Sequence, residues 1–217
     1  NFVRAGKAET LGMAAWAPLL WMIGALLILA RLLVGTLSVR RLARHSRIND
    51  VAEWNDLVAH LAGCIGLTRR VALLCSDSVT MPLTFGITRA FILLPDEADD
   101  WSDERRQVVL LHELAHIKRR DCLTQMLAQM VCAVNWFNPL VWAAARQLRI
   151  ERERACDDLV LAAGTRGSDY ADQLLDIARV MQAGRFPAVF AGASHAMAQR
   201  SQLEGRLIAI LDPSVPR

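Results

Sequence analysis

Five consecutive residues, His112-Glu113-Leu114-Ala115-His116, restrict this 217-residue chain more than any other feature. Histidines at i and i+4 lie on one face of an α-helix, close enough to share a metal ion. Glu113 follows the first of them, where its carboxylate can reach a water on that metal. A metal-bound water is acidified toward neutral pH, and a neighbouring carboxylate can take its proton as it attacks a carbonyl. This is the zinc metalloprotease arrangement. The alternative is an amphipathic helix that happens to carry two of the chain's five histidines. The flanks favour the site. Ser102-Asp103-Glu104 reads as an N-cap followed by acids at the positive end of the dipole, and Lys118-Arg119-Arg120 places cations near the other end.

Two histidines and a water leave a tetrahedral zinc one ligand short. No Gly and His follow His116 closely, as metzincins would require. The next candidates stand in Glu151-Arg152-Glu153-Arg154-Ala155-Cys156-Asp157-Asp158. Glu153 and Asp157 are again i, i+4. Glu153 can ligate, and Asp157 can orient a ligating histidine from behind. Read alone, this run is equally a solvated helix face with local ion pairs.

Three segments in order carry a resemblance: HELAHIKRRD from His112 to Asp121, Asn135-Trp136-Phe137-Asn138-Pro139-Leu140-Val141-Trp142, and Glu153-Arg154-Ala155-Cys156-Asp157. Together they resemble the BlaR/MecR-type membrane zinc metallopeptidases, antirepressors or sensor-transducers of bacterial β-lactam resistance. The resemblance runs from the N-terminal apolar segment to about Pro213. It implies His112, His116 and Glu153 as ligands of Zn2+, Glu113 as general base and Asp157 as partner of the ligand set. It also implies a protein substrate, either a cytoplasmic repressor or the chain itself. β-Lactam sensing in that family uses an extracytoplasmic Ser-x-x-Lys. The two lysines here, Lys7 and Lys118, have no serine three residues before them, so the stimulus stays open.

From Thr10 to Ala30 there is no charge, and after Arg31 the apolar run resumes to Val39, long enough to cross a bilayer. Arg40, Arg41, Arg44 and Arg47 follow, which by the positive-inside rule places the rest of the chain in the cytoplasm of an inner-membrane protein. The first residue is Asn1, so we expect an excerpt of a longer protein with further spans. Cys122 to Ala145 is a second stretch without formal charge. If it spanned, His116 and Glu153 would lie on opposite sides of the membrane. We therefore expect a helical hairpin: a helix from about Asp103 to Val134, broken near Arg120, a turn at Asn135 to Asn138, and a return from Pro139 to about Ala163, ended by Gly164.

Asn49 to Cys64 reads as an amphipathic helix, Val71 to Cys75 as a strand, and Pro82 to Leu94 as extended with a turn at Gly86. Ala90 to Leu94 is the candidate edge strand for pairing with an extended peptide. Ser168 is expected to cap a helix from Asp169 to Met181, and Ser201 with Glu204 a last helix ending near Leu211. His195, Tyr170 and several arginines are eligible oxyanion donors. The fold class expected is α+β: an N-terminal transmembrane helix, then a mostly helical, gluzincin-like HExxH domain with a small sheet. Residues 1–47 would hold the extracytoplasmic flank, the span and its basic cytoplasmic flank, and residues 48–217 the metallopeptidase domain.

The net charge of +3, from 25 basic and 22 acidic residues, carries no nucleic-acid footprint. Five cysteines, none paired as CxxC, suit a reducing compartment. Three functional classes fit: a membrane-anchored signalling endopeptidase, a non-proteolytic transducer with a structural zinc site, and a membrane quality-control HExxH protease. Glu113 argues against the second, because a structural site needs no base. The ExxCD and Asn-Trp-Phe-Asn-Pro segments favour the first over the third.

Overall fold

The structure, a computed structural model, describes residues 5–183 and 203–211. Helix α1 (Ala5–His45) is followed by strand β1 (Arg47–Ile48), α2 (Ala52–Cys64), β2 (Val71–Ser76), β3 (Leu83–Phe85) and β4 (Ala90–Pro95). After a 3-10 turn over Asp96–Asp100 come α3 (Asp103–Arg119), α4 (Asp121–Val134), α5 (Pro139–Ala162) and α6 (Gly167–Ala183). A last helix, α7, covers 203–211. The chain is mostly helical, with one N-terminal apolar helix and a small mixed sheet. Among the described residues, only the segment Trp16–His45 of α1 is long and apolar enough to cross a membrane.

The sheet order is β1-β2-β4-β3. β4 lies between β2, to which it is parallel, and β3, to which it is antiparallel. This corrects one expectation: Ala90 to Leu94 is an interior strand, and the edge beside the motif helix is β3. The reason is in the pattern. Ala90-Phe91-Ile92-Leu93-Leu94 is apolar without alternation, as suits a strand covered on both faces and paired on both sides. Ile92, Leu93 and Leu94 are fully buried. The turn between β3 and β4 needs Gly86, whose φ is +102° and whose missing Cβ leaves room for the carbonyl oxygen of Arg89.

α3 is the central helix and touches α2, β3, α4, α5 and α6. Val108 to Leu111, Leu114, Ala115 and Ile117 are all buried, so its middle is apolar nearly all round except where the motif polar groups point, and its charged residues fall at the two ends. Ser102 caps it, its hydroxyl accepting from the Arg105 amide at 3.3 Å. The break near Arg120 takes a definite form. Arg120 adopts left-handed dihedrals (φ 58°, ψ 39°), ending α3 and starting α4 at Asp121.

α4 and α5 form the expected antiparallel hairpin. Asn138 caps α5 by accepting from the Leu140 amide at 3.0 Å, Pro139 opens the helix, and Gly164 (φ +102°) follows its end. Arg152 donates across the hairpin to Gln125 at 3.0 Å, so residues 151–157 return beside α3. The sixth helix starts at Gly167, and Ser168 lies within its first turn, donating to Asp169 at 3.0 Å rather than capping from outside. Ser201 and His195 lie outside the described residues.

Candidate active site

His112 and His116 stand one turn apart on α3, with ring planes perpendicular and centroids 4.8 Å apart. Their Nε2 atoms are 3.2 Å apart. Glu153 reaches in from α5, its Oε2 at 3.7 Å from the first Nε2 and 3.9 Å from the second. Three donor atoms, two from α3 and one from α5, thus surround one point. Tetrahedral ligands at zinc–nitrogen distances of about 2.0–2.1 Å stand about 3.4 Å from one another. The observed triangle is close to that size.

The back of each imidazole is already occupied. His116 Nδ1 is 2.7 Å from Asp121 Oδ2. His112 Nδ1 is 2.9 Å from the Tyr170 hydroxyl, which donates to Asp157 Oδ1 at 2.5 Å. In the neutral tautomers whose Nδ1 positions donate to these partners, each Nε2 presents a lone pair to the other and to the Glu153 carboxylate. A cation is what such a donor set accepts.

Charges behind the site are paired as well. Arg206, on α7, grips Asp157 with Nε and Nη2, both at 2.7 Å, and its Nη1 lies 3.7 Å from Glu153 Oε2. Burial alone would raise the Glu153 pKa. When the imidazoles are protonated, the hydrogen bond from His112 and the positive fields of His116, His112 and Arg206 outweigh burial and hold the carboxyl well below the usual range. Burial likewise works against a charged His116, but Asp121, Glu113 and Glu153 overcome it and raise its pKa. Tyr170 is pushed strongly up by burial and by Asp157, so its phenol stays protonated. Cys156, fully buried, packs its sulfur 3.2 Å from His116 Nδ1. Its thiol is pushed far up by burial and by Asp121, so it stays protonated and packs as a neutral group.

Glu113 faces the other side of the pair. Its Oε2 accepts a 2.5 Å hydrogen bond from Thr84 Oγ1, on the edge strand β3. Thr84 stands opposite Ile92 in the antiparallel register, so it shares the sheet face turned toward the core and α3. A cleft of about 390 Å³ opens here, lined among others by Leu83, Thr84, His112, Glu113, His116 and Glu153.

The structure therefore brings together His112, His116, Glu113, Glu153 and Asp157. Of the eligible oxyanion donors, Tyr170 is 1% exposed and is committed to His112 and Asp157. Arg152 and Arg206 both line the cleft. Asp121, Thr84 and the specific role of Arg206 were missed in the sequence. Asp121 had a positional signal alone, standing directly after the expected break near Arg120 and closing the HELAHIKRRD segment. Thr84 and Arg206 had none, because only the tertiary fold brings them to the site.

The chain is similar to several known proteins. The regulatory protein BlaR1 of Bacillus licheniformis is 33% identical over 141 residues, 65% of this chain and 24% of that protein. The methicillin resistance mecR1 protein of Staphylococcus aureus strain Mu50 is 27% identical over 94 residues, 43% of this chain and 16% of that one. The regulatory protein BlaR1 of Staphylococcus aureus is 26% identical over 111 residues, 50% and 19% respectively. The chain thus matches at most about a quarter of the length of these relatives. Residues 4–210 match the BlaR1 peptidase M56 family as a whole, and the chain belongs to that family.

Proposed function

We propose that this chain is the membrane-anchored zinc metalloendopeptidase unit of a signalling protein, with His112, His116 and Glu153 as zinc ligands and Glu113 as general base. The observation that carries this reading is the convergence of two lone-pair Nε2 atoms and one carboxylate oxygen within 4.8 Å of one another, beside a carboxylate that ligates nothing. When bound, zinc supplies Lewis acidity, lowering the pKa of a coordinated water and polarising a scissile carbonyl.

The chain's own residues do the rest. Asp121 and the Tyr170–Asp157 pair fix the tautomers, keeping both Nδ1 atoms protonated and both Nε2 atoms free to ligate. Thr84 holds the Glu113 carboxylate in one orientation, ready to accept a proton from the attacking water and to deliver it to the leaving amine. Among the described residues β3 pairs with β4 along one side only, so its other side, where the Thr84 carbonyl accepts a weak bond from the Cys122 thiol at 3.7 Å, offers main-chain groups to an extended peptide crossing the cleft. Ligation by a glutamate from a second helix makes the domain gluzincin-like. The arginines that follow the apolar run, Arg40, Arg41, Arg44 and Arg47, favour a cytoplasmic domain, and the family relationship favours a repressor, or the chain itself, as substrate.

The test is direct. The full chain, reconstituted with zinc in vesicles, is incubated alone and with an unfolded protein such as a casein, with and without a chelator. Cleavage that the chelator stops and zinc restores supports the reading. Zinc bound at one per chain with no cleavage of either would favour a non-proteolytic transducer.

A further inference from the structure

The hairpin formed by α4 and α5 carries an apolar surface that the domain does not cover. On α4, Leu127, Met130, Val131 and Val134 are exposed, and they fall at i, i+3, i+4 and i+7, a single stripe along one face. At the tip, Phe137 is 63% and Leu140 75% exposed. No residue from Cys122 to Ala145 carries a formal charge. In water such a surface is a liability.

The tip is docked on the apolar helix α1. Trp21 Nε1 donates to the carbonyl of Val134 at 2.9 Å, and Trp136 Nε1 donates to the carbonyl of Trp21 at 3.1 Å. The Trp136 indole lies over Gly24, where any Cβ would collide with the ring. The stripe is therefore continuous with the exposed leucines of α1, such as Leu20 and Leu27.

Several polar groups of the turn bond within the protein. Hydrocarbon tolerates non-helical backbone only when its polar groups are satisfied within the protein. The Asn138 amide bonds to the Asn135 carbonyl at 2.9 Å. The Asn135 side chain donates to Val131 at 3.1 Å, and Trp142 Nε1 donates to the Trp136 carbonyl at 2.9 Å.

The dimensions agree. Trp21 stands ten residues before Arg31, about 15 Å along the helix, half of a hydrocarbon core about 30 Å thick. On α5, Arg149 stands ten residues after Pro139, the same distance from the tip, and Arg146 is near enough for its side chain to reach the interface. One plane thus passes near Arg31 and Arg149, with the tip at mid-membrane depth. Glu153 lies about 6 Å beyond that plane.

We propose that the α4–α5 hairpin is a re-entrant wedge whose Leu127–Val134 stripe and Phe137–Leu140 tip lie among lipid acyl chains beside α1. It enters and leaves by the same membrane face and holds the candidate active site just outside the hydrocarbon. Substrate would then be met at the membrane surface. The inference rests on α1 spanning the bilayer.

Photocrosslinking tests it. p-Benzoylphenylalanine is placed singly at Phe137, Leu140, Leu20 or Ser168 in the full chain, in vesicles of phosphatidylcholine and phosphatidylglycerol. After irradiation, the labelled peptides are weighed for a phospholipid adduct. The wedge predicts lipid adducts at Phe137 and Leu140 as abundant as at Leu20, and none at Ser168 on α6. Lipid adducts at Leu20 with none at Phe137 and Leu140, or with only protein crosslinks there, would overturn it, the latter pointing to a second copy as cover. No lipid adduct even at Leu20 would overturn the spanning reading of α1, and the wedge with it.

Discussion

Asp121 Oδ2 lies 2.7 Å from Nδ1 of His116, five residues earlier and across a helix break. The left-handed turn at Arg120 makes this contact possible. A continuous helix would carry residue 121 past the ring, whereas the break turns the start of α4 back against it. A non-glycine residue in this conformation costs about 1–2 kcal/mol. The cost is repaid at the site, where the buried carboxylate orients the imidazole of His116, a proposed zinc ligand.

Asp121→Asn should therefore weaken zinc binding by about 10- to 100-fold while leaving the fold in place. Competition with a chromophoric chelator measures this. His116→Ala should lose most of the zinc. An unchanged affinity in Asp121→Asn would mean that the imidazole is oriented by packing alone.

Asp157 and Arg206 form the second buried support. Asp157 is 3% exposed and accepts both Arg206 contacts and the Tyr170 hydroxyl. Removing one charge strands the other, which costs about 3–5 kcal/mol when the pair is buried. Arg206→Met and Asp157→Asn should each lower the thermal midpoint markedly. The double variant should recover part of the loss, which unfolding curves of the three variants would show.

Much of the fold was legible from spacing and from helix punctuation. The i, i+4 histidines, the Ser102 cap, the Asn138-Pro139 start and Gly164 located α3 and α5. The need for His116 and Glu153 to meet converted an apparent span into a hairpin. The order of strands was not legible. Ala90 to Leu94 became interior because β2 pairs with it in parallel, a long-range choice that local pattern does not encode. The contacts of Thr84 and Arg206 with the site share that cause: each comes from an element distant in sequence, and neither residue type is distinctive where it stands.

The contact of α1 with the hairpin tip depends on Gly24. Gly24→Leu should force Trp136 aside, break both tryptophan hydrogen bonds and cost about 1–3 kcal/mol, as overpacking does. Gly35→Leu, with nothing within 4 Å of the added carbon, is the matched control and should be neutral. Thermal unfolding in detergent compares them, and equal effects would place the tip elsewhere.

Thr84→Val keeps the shape of the side chain and removes the hydroxyl that holds Glu113. A hydrogen bond to a charged group is worth about 1.5–3 kcal/mol, so cleavage should fall by about tenfold or more, with zinc content unchanged. Steady-state rates with metal analysis of the same sample check it. A loss of zinc would assign Thr84 to the fold of the site instead of the orientation of the base.

The most direct measurement compares Glu113→Gln with the unaltered chain for zinc content and cleavage in one preparation. Glutamine keeps the size and the acceptor for Thr84 but takes no proton at neutral pH. The account predicts about one zinc per chain in both proteins. It predicts a cleavage rate lower by about 10² to 10⁴ in the variant. Cleavage by Glu113→Gln at the rate of the unaltered chain, with zinc retained, would contradict it.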